Sequence, residues 1–552
     1  MMRCMRRLRP PCLLFAVWAC ATTLPAGSQG QKASDVRMIE LTPWRTMDDV
    51  IDGWDWSLPT GVAPVPYSGV KYSDKQGRRL PGNRIVSVGS SWRELEPEEG
   101  VYDFEPLTAR LKNLPEDCVG AELHVYASVW ETRYLGTNRA TGATAPQWLV
   151  DKYKIPIIEE KPKTNIGTPF QVVNLDIWHP EYHKRYLRFV EEFGKSGIAQ
   201  MKQVMLSYVH GKSASRGEEA DANYEGHALE CMLERIEAWA KAFKGVEYKL
   251  AWVGAGGAVL ERAYELGMGQ RNGFVEMYLT HCNNPLLGQT VDENGYLVVD
   301  ETCPPIAENR AFGDENEEYS PQAHVARFGP MEGWPHRYRE SMLRTLQMRR
   351  NFVWAEGNPW VDLPLLAYVS LELGRNVENA PDVWCYLRES YLRGQAGARG
   401  PVKNFERWLY QRDRDGYRTI PAVKTPHHES MYPSPPDQKY DFTARRTDLA
   451  SGNDRIGFAL DDRFLSGGPY TVAVKITDHD LSKGAWTLAY RTPDGEAART
   501  IQSQGTGKLR TATFFLNDAC FPATGLDYDF EVRATENDAV ISLVRVIKPR
   551  TP

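Results

Sequence analysis

Eight short apolar stretches that alternate with segments of helical periodicity restrict the fold of this sequence most strongly. The apolar stretches are Arg37–Thr42, Arg84–Gly89, Ala121–Ser128, Gln203–Val209, Tyr248–Val253, Gly273–Leu279, Phe352–Ala355 and Val383–Leu387. Strands that alternate with helices form parallel sheets, because each helix returns the chain to the same end of the sheet. We therefore predict an α/β fold, a (β/α)8 TIM barrel over residues 29–400.

The last third of the chain has a different pattern. A charged and proline-rich segment, which includes Pro421–Pro436, predicts a linker over residues 401–438. Short alternating runs separated by turn signals follow it, at Tyr470–Thr477, Trp486–Arg491, Arg510–Leu516, Tyr528–Ala534 and Ala539–Ile547. This pattern predicts a C-terminal antiparallel β-sandwich domain over residues 439–552.

Residues 1–28 have the features of a secretory signal peptide. An arginine-rich start precedes an apolar run, Cys12–Cys20, that is too short for a permanent membrane helix, and small residues follow it. We predict a secreted or periplasmic protein with no transmembrane segment. A lipoprotein anchored at Cys20 is the alternative.

The composition excludes some partners and cofactors. The formal net charge is -6 and charged residues make up 25% of the chain, so no basic excess indicates nucleic acid. Outside the leader, cysteines stand at positions 118, 231, 282, 303, 385 and 520 without a CxxC pair, which argues against a structural zinc site. Isolated buried thiols are favoured for these cysteines, and a disulfide between Cys282 and Cys303 is the alternative.

The stretch Asn351–Trp360 ends a predicted core strand with a carboxylate. Glu356 directly follows the apolar run and precedes Gly357, Asn358 and Pro359, which are turn formers. Catalytic groups of α/β barrels lie at the carboxyl ends of the strands. Glu356 is therefore a candidate catalytic residue, and a loop glutamate paired with an arginine is the alternative.

Two sequence motifs resemble those of a known enzyme family. Trp92–Phe104 fits the pattern W-x-x-L-E-P-x-x-G-x-Y-D-F, and Pro146–Leu149 fits P-x-W-L. Both resemble segments of clan A glycoside hydrolases, nearest to the β-galactosidases of family 42. The resemblance implies a (β/α)8 barrel with catalytic glutamates after the fourth and seventh strands, without a cofactor.

The exit loop of the predicted fourth strand carries two adjacent carboxylates, Glu218 and Glu219. The resemblance implies that Glu218 is the acid/base, with Glu219 as its rival, and that Glu356 after the predicted seventh strand is the nucleophile. Gly217 stands where the family pattern has an asparagine that contacts the substrate. This difference weakens the inference of β-galactosidase specificity.

Other side chains near predicted strand ends are candidate substrate contacts, although each of them is also compatible with packing. They are Trp92, His124, Trp130, His210, Asn358 and Trp360. The acidic segment Gly313–Tyr319 is interpreted as a solvated loop.

The C-terminal sandwich resembles the jelly-roll modules of secreted carbohydrate-active enzymes. Trp486 and Tyr490 are candidates for glycan binding, and packing is the alternative. A structural Ca²⁺ ion held by the sandwich is a further hypothesis, with Asp461, Asp462, Asp527 and Asp529 as the candidate ligands.

The predicted function is a secreted retaining glycoside hydrolase that cleaves a β-linked, galactose-containing oligo- or polysaccharide. No Gly-rich phosphate loop, HExxH or G-x-S-x-G motif indicates a nucleotide enzyme, a zinc protease or a serine hydrolase. An endo-acting hydrolase of a sulfated or algal galactan is one alternative. A catalytically inactive surface glycan-binding protein is the other.

Overall fold

A computed structural model describes fourteen segments of the 552-residue chain. They are residues 36–40, 62–74, 79–80, 82–136, 140–165, 168–209, 224–253, 257–272, 283–316, 334–357, 363–390, 401–426, 440–523 and 527–548. The predicted signal peptide lies outside them. Among the described residues, none of the helices has both the length and the apolar character needed to span a membrane.

Eight parallel strands close into a barrel in the order in which they occur along the chain. They are β1 (Gly69–Asp74), β2 (Arg84–Ser91), β3 (Cys118–Tyr126), β4 (Val204–Val209), β5 (Leu250–Val253), β6 (Gly269–Asn272), β7 (Phe312–Asn316) and β8 (Phe352–Gly357). The prediction of a (β/α)8 barrel is confirmed.

Helices follow the barrel strands from β2 onward. They are α1 (Trp92–Leu95), α2 (Glu105–Lys112), α3 (Gln147–Tyr153), α4 (Pro180–Lys195), α5 (Gly226–Ala242), α6 (Gly257–Glu265), α7 (Pro304–Ala307), α8 (Trp334–Gln347) and α9 (Leu363–Glu372). The start of α4 is determined by its sequence, since Pro180 occupies the first turn and the His179 side chain accepts from the Glu181 amide. Residues at helical spacing, such as Phe189 and Phe193, bury the inner face of α4.

A five-stranded antiparallel sheet is inserted between β3 and α4. Its strands are Val129–Tyr134, Ala140–Thr141, Ile157–Glu159, Lys163–Asn165 and Thr168–Leu175. A second small insertion, the hairpin of Gln289–Val291 and Leu297–Val299, lies between β6 and β7.

The C-terminal part is a thirteen-stranded antiparallel sheet folded around its own core. Its labelled strands are β9 (Asp382–Ser390), β10 (Val402–Arg407), β11 (Leu409–Gln411), β12 (Ile420–Pro426), β13 (Tyr440–Arg446), β14 (Arg455–Leu460), β15 (Gly467–His479), β16 (Lys483–Thr492), β17 (Gly495–Gln504), β18 (Leu509–Phe521), β19 (Phe530–Ala534) and β20 (Val540–Ile547). The main path runs β10-β9-β13-β20-β15-β18-β16-β19-β14-β11. The prediction of a C-terminal antiparallel sandwich is confirmed.

Two predicted barrel strands belong to this sheet instead. Val36–Glu40 pairs with β18, so the prediction of a first barrel strand at Arg37–Thr42 is wrong. The predicted eighth strand, Val383–Leu387, lies in β9, which pairs with β10, β13 and β20. Both stretches are apolar because they pack in a sandwich, and an apolar run cannot by itself distinguish a sandwich core from a barrel core.

Part of the predicted linker is ordered strand. β10, β11 and β12 lie within residues 402–426, whereas residues 427–439 lie outside the described segments. These strands are hard to recognise in the sequence because buried ion pairs replace apolar residues in them. Arg407, for example, is fully buried against Glu372 of α9. The antiparallel sheet also begins before the boundary predicted at residue 439.

The backbone directly before β7 leaves no room for a side chain at Gly269 on β6. A Cβ atom at this position would lie 1.9 Å from the carbonyl oxygen of Ala311, which is backbone and cannot swing away. We expect Gly269→Ala to lower the free energy of unfolding by about 2 kcal/mol, measured by urea denaturation. Gly142→Ala is the control, because a Cβ there meets nothing within 4 Å. Equal stability of the two variants would contradict this account of the barrel wall.

Candidate active site

The lower part of the barrel interior is filled with apolar side chains. Ile85, Met205, Leu206, Ala251 and Phe352 are buried together in one cluster. Such a packed layer is typical of TIM barrels, whose interior is a core and whose active site lies above it. The apolar cluster therefore forms the floor beneath any site at the carboxyl ends of the strands.

Glu122 of β3 is the centre of a polar layer above this floor. Its Oε2 atom lies 2.5 Å from Nζ of Lys71 on β1, 2.6 Å from Oγ of Ser87 on β2 and 2.9 Å from Nε2 of His124. Burial by itself would raise the pKa of the Glu122 carboxyl, but Lys71 and His124 outweigh burial and hold that pKa well below its usual range. Glu122 is thus a buried, ionised carboxylate that joins three strands inside the barrel.

Lys71 also contacts the aromatic ring of Trp354. The two residues are aligned in the register of β8 and β1, and Nζ of Lys71 lies 3.6 Å from the ring centroid. This geometry is a cation–π contact. Trp354 is half-buried and the Lys71 side chain is 14% exposed, so solvent reaches this layer of the barrel.

Aromatic rings and a guanidinium group extend the polar layer around His124. His124 stacks on Tyr126 and meets the edge of Tyr208 on β4, with ring centroids 5.4 and 5.0 Å apart. The Arg271 guanidinium of β6 lies 5.4 Å from the Tyr208 ring. Donors, a cation and apolar ring faces that lie close together are the chemistry that binds a polyhydroxylated ligand.

The strand order changes the position of Glu356. It lies on β8, aligned with Ser73 of β1, so the prediction that it follows the seventh strand is wrong. The seventh strand is β7, where Glu315 is aligned with Trp354. The sequence concealed this strand because its residues, FGDEN, are mostly small or charged.

Asp314 lies on the same strand and is buried, which corrects the interpretation of Gly313–Tyr319 as a solvated loop. Its Oδ2 atom accepts a hydrogen bond of 3.0 Å from Nε of Arg350. Burial raises the pKa of Asp314, although Arg350 and Arg344 act in the opposite direction. Residues 317–319 lie outside the described segments.

Two of the six predicted substrate contacts are packed in the protein core. Trp92 is fully buried against Phe189 and donates from its indole nitrogen to Glu96, so its role is structural. Trp130 is half-buried on the inserted sheet and packs against the same core. His124 alone among the predicted contacts lies inside the described part of the barrel interior. The others, His210, Asn358 and Trp360, lie outside the described segments, as do Glu218 and Glu219.

The candidate ligands in the sandwich have other partners. Trp486 and Tyr490 are buried in the sandwich core, so packing, not glycan binding, is their role. Asp461 pairs with Arg463, Asp527 pairs with Arg414, and Asp529 accepts from the Leu460 amide. Within the described segments, no group of three or more His, Cys, Asp or Glu residues is arranged to hold a metal ion. Cys303 is a buried free thiol, and Cys282 of the alternative Cys282–Cys303 disulfide lies outside the described segments.

The sequence interpretation missed several residues of the polar layer, including Lys71, Ser87, Glu122 and Arg271. A usable signal was present for one of them. Glu122 and His124 alternate within the otherwise apolar strand AELHVY, and residues two apart in a strand share a face. A charged pair on the inner face of a barrel strand is therefore a candidate for a site.

Comparisons with known proteins agree with this geometry. A family model described as beta-galactosidase, glycoside hydrolase family 42, matches residues 73–226, which contain β2, β3, β4 and the segment with Glu218. No curated protein matches the chain. A crystal structure of an uncharacterized protein from Listeria monocytogenes, solved with glucose, magnesium and calcium, is 9% identical over 91% of this chain and 68% of its own. Its TM-score of 0.16 is too low to support an argument. The family match and the closed barrel fit a clan A (β/α)8 glycoside hydrolase near family 42.

Proposed function

We propose that the protein is a secreted, retaining glycoside hydrolase that cleaves β-linked, galactose-containing oligo- or polysaccharides. One observation carries the proposal: the family match spans three consecutive barrel strands, and two of them supply Ser87, Glu122 and His124 to the polar layer. Fold alone would not assign a function. Here the segment that matches the family model also supplies side chains to the barrel interior, so the family match and the candidate site involve the same residues.

Retaining hydrolysis requires two carboxyl groups about 5 Å apart, one as nucleophile and one as acid and then base. Glu218, in the exit segment of β4, is the proposed acid/base, and Glu219 is its rival. For the nucleophile, Glu315 occupies the seventh strand that the resemblance indicates, and Glu356 on β8 is the alternative. Glu315 and Glu356 are compared by their positions in the strand register alone.

The charges of the barrel interior suit a nucleophile that must stay ionised. Arg271 on β6 is aligned with Gly313, two residues before Glu315 on the neighbouring strand. A nearby guanidinium stabilises the charged form of a carboxylate. The acid/base has the opposite requirement, since it must carry a proton until the glycosidic oxygen leaves.

The test is the release of sugar from a panel of aryl β-galactosides, β-linked galactans and sulfated algal galactans by the wild-type protein. We expect turnover of at least one β-galactoside, with the β-anomer as the first product in proton NMR spectra. A first product in the α-configuration would contradict retention. Release of oligosaccharides only from sulfated galactans would favour the endo-acting alternative. Binding of a glycan without any release would replace the hydrolase proposal with a glycan-binding function.

A further inference from the structure

We infer that Lys71 contacts the substrate and that Glu122 is a positioning residue that holds Lys71 in place. This inference deepens the proposed function and rests on it. It starts from the two contacts of the Lys71 ammonium, with the Glu122 carboxylate at 2.5 Å and with the Trp354 ring at 3.6 Å. These contacts come from β3 and β8, so they fix the ammonium between strands that are not neighbours.

An ammonium group has three donors and can therefore serve more than the two contacts that Lys71 makes with described residues. Glu122 takes one donor of Lys71, and the Trp354 ring attracts the charge without accepting a conventional hydrogen bond. Donor capacity thus remains for an oxygen of a bound ligand. A sugar bound beside Trp354 would offer hydroxyl oxygens to this ammonium.

The exposure of the three residues supports a ligand contact over a purely structural ion pair. Glu122 is 1% exposed, whereas the Lys71 side chain is 14% exposed and Trp354 is half-buried. The layer below, represented by Ile85 and Phe352, is buried. The ammonium is therefore a charged group above the floor of the barrel that solvent, and hence a ligand, can reach.

Glu122 is built to hold this ammonium and not to react itself. Its contacts with described residues arrive at Oε2, from Lys71, from Ser87 at 2.6 Å and from His124 at 2.9 Å. A buried carboxylate with three donors has little freedom to move or to accept a proton. Replacement of Glu122 would therefore leave Lys71 present but its ammonium less firmly held.

The experiment compares Lys71→Met, Lys71→Arg and Glu122→Gln with the wild type on the best β-galactoside of the panel. Loss of a hydrogen bond from a charged donor predicts a KM raised about tenfold to a hundredfold in Lys71→Met, with kcat changed by less than about threefold. Lys71→Arg keeps the charge and should recover part of the affinity. Glu122→Gln should raise KM by a smaller factor, because the lysine remains present but is less well held.

Lys249→Met is the matched control. Lys249 is also buried, but its ammonium donates to the carbonyl oxygens of Ala199 and Met201, away from the polar layer. Its loss should lower the melting temperature without changing KM. Lys71→Met that behaves like Lys249→Met would assign Lys71 a structural role and overturn the inference.

Failure of the inference is distinguishable from failure of the proposed function. If the wild type hydrolyses a β-galactoside and Lys71→Met keeps the wild-type KM, Lys71 makes no substrate contact and the hydrolase proposal survives. If the wild type binds a galactan without hydrolysing it, calorimetric Kd values replace KM, and a Kd raised at least about tenfold by Lys71→Met upholds the contact. If the wild type neither hydrolyses nor binds any sugar of the panel, both proposals are wrong.

Discussion

Glu315→Ala is expected to lower kcat/KM toward an aryl β-galactoside by a factor of about 10³ or more, because loss of the nucleophile prevents formation of the glycosyl-enzyme intermediate. Added azide should partly restore turnover by attacking the anomeric carbon directly. In a retaining enzyme this rescue yields an α-galactosyl azide, since one displacement inverts the configuration. The product, identified by NMR, therefore reports the role of the deleted carboxylate and not just its importance.

The same assay decides between the two candidate nucleophiles. Glu356→Ala should show no α-azide product if Glu315 is the nucleophile, even if its activity is low. Azide rescue of Glu356→Ala alone would reverse the assignment. Glu218→Ala is expected to give a β-galactosyl azide instead, because the intermediate still forms and azide attacks it. Glu308→Ala is the matched control, since Glu308 is an exposed glutamate that pairs with Arg310 shortly before β7.

The strands of the barrel differ in how well the sequence predicts them. β5 is apolar throughout and β4 is apolar apart from Ser207, and both were located correctly from their sequences. The predicted sixth strand, Gly273–Leu279, begins directly after β6 and lies outside the described segments. β1 and β7 were missed, because their residues include Lys71 and Asp314. These side chains are buried by pairing with partners on other elements, and such partners are invisible in a linear sequence.

This asymmetry explains why Glu356 was assigned to the wrong strand. Counting apolar runs replaced two polar barrel strands with two apolar strands of the sandwich, so the total of eight was correct while the order was not. The strands that were missed are also those that contribute charged groups to the barrel interior and wall. Site residues violate the hydrophobic pattern because they are selected for chemistry, which limits prediction of a site from periodicity alone.

Charged residues also fill the junction between the barrel helices and the C-terminal sheet. Arg388 of β9 lies 2.6 Å from Glu340 of α8 and 3.8 Å from Asp441 of β13, and all three residues are fully buried. His336 of α8 completes the cluster, with Nε2 2.8 Å from Asp441 and Nδ1 3.4 Å from Glu340. Two carboxylates in this dry environment depend on the neighbouring cation.

Arg388→Met is therefore expected to lower the free energy of unfolding by about 3 to 5 kcal/mol, the range found when one partner of a buried ion pair is removed. Methionine keeps much of the side-chain volume, so the loss measures the ion pairs that Glu340 and Asp441 make with Arg388 and not a cavity. Arg262→Met, in an exposed pair with Glu237, should cost less than about 1 kcal/mol in the same urea titration. Adding Glu340→Gln and Asp441→Asn to Arg388→Met should then recover part of the stability, because the two added substitutions remove the carboxylate charges that have lost Arg388. A triple variant less stable than Arg388→Met would show instead that the carboxylates stabilise the junction through other contacts.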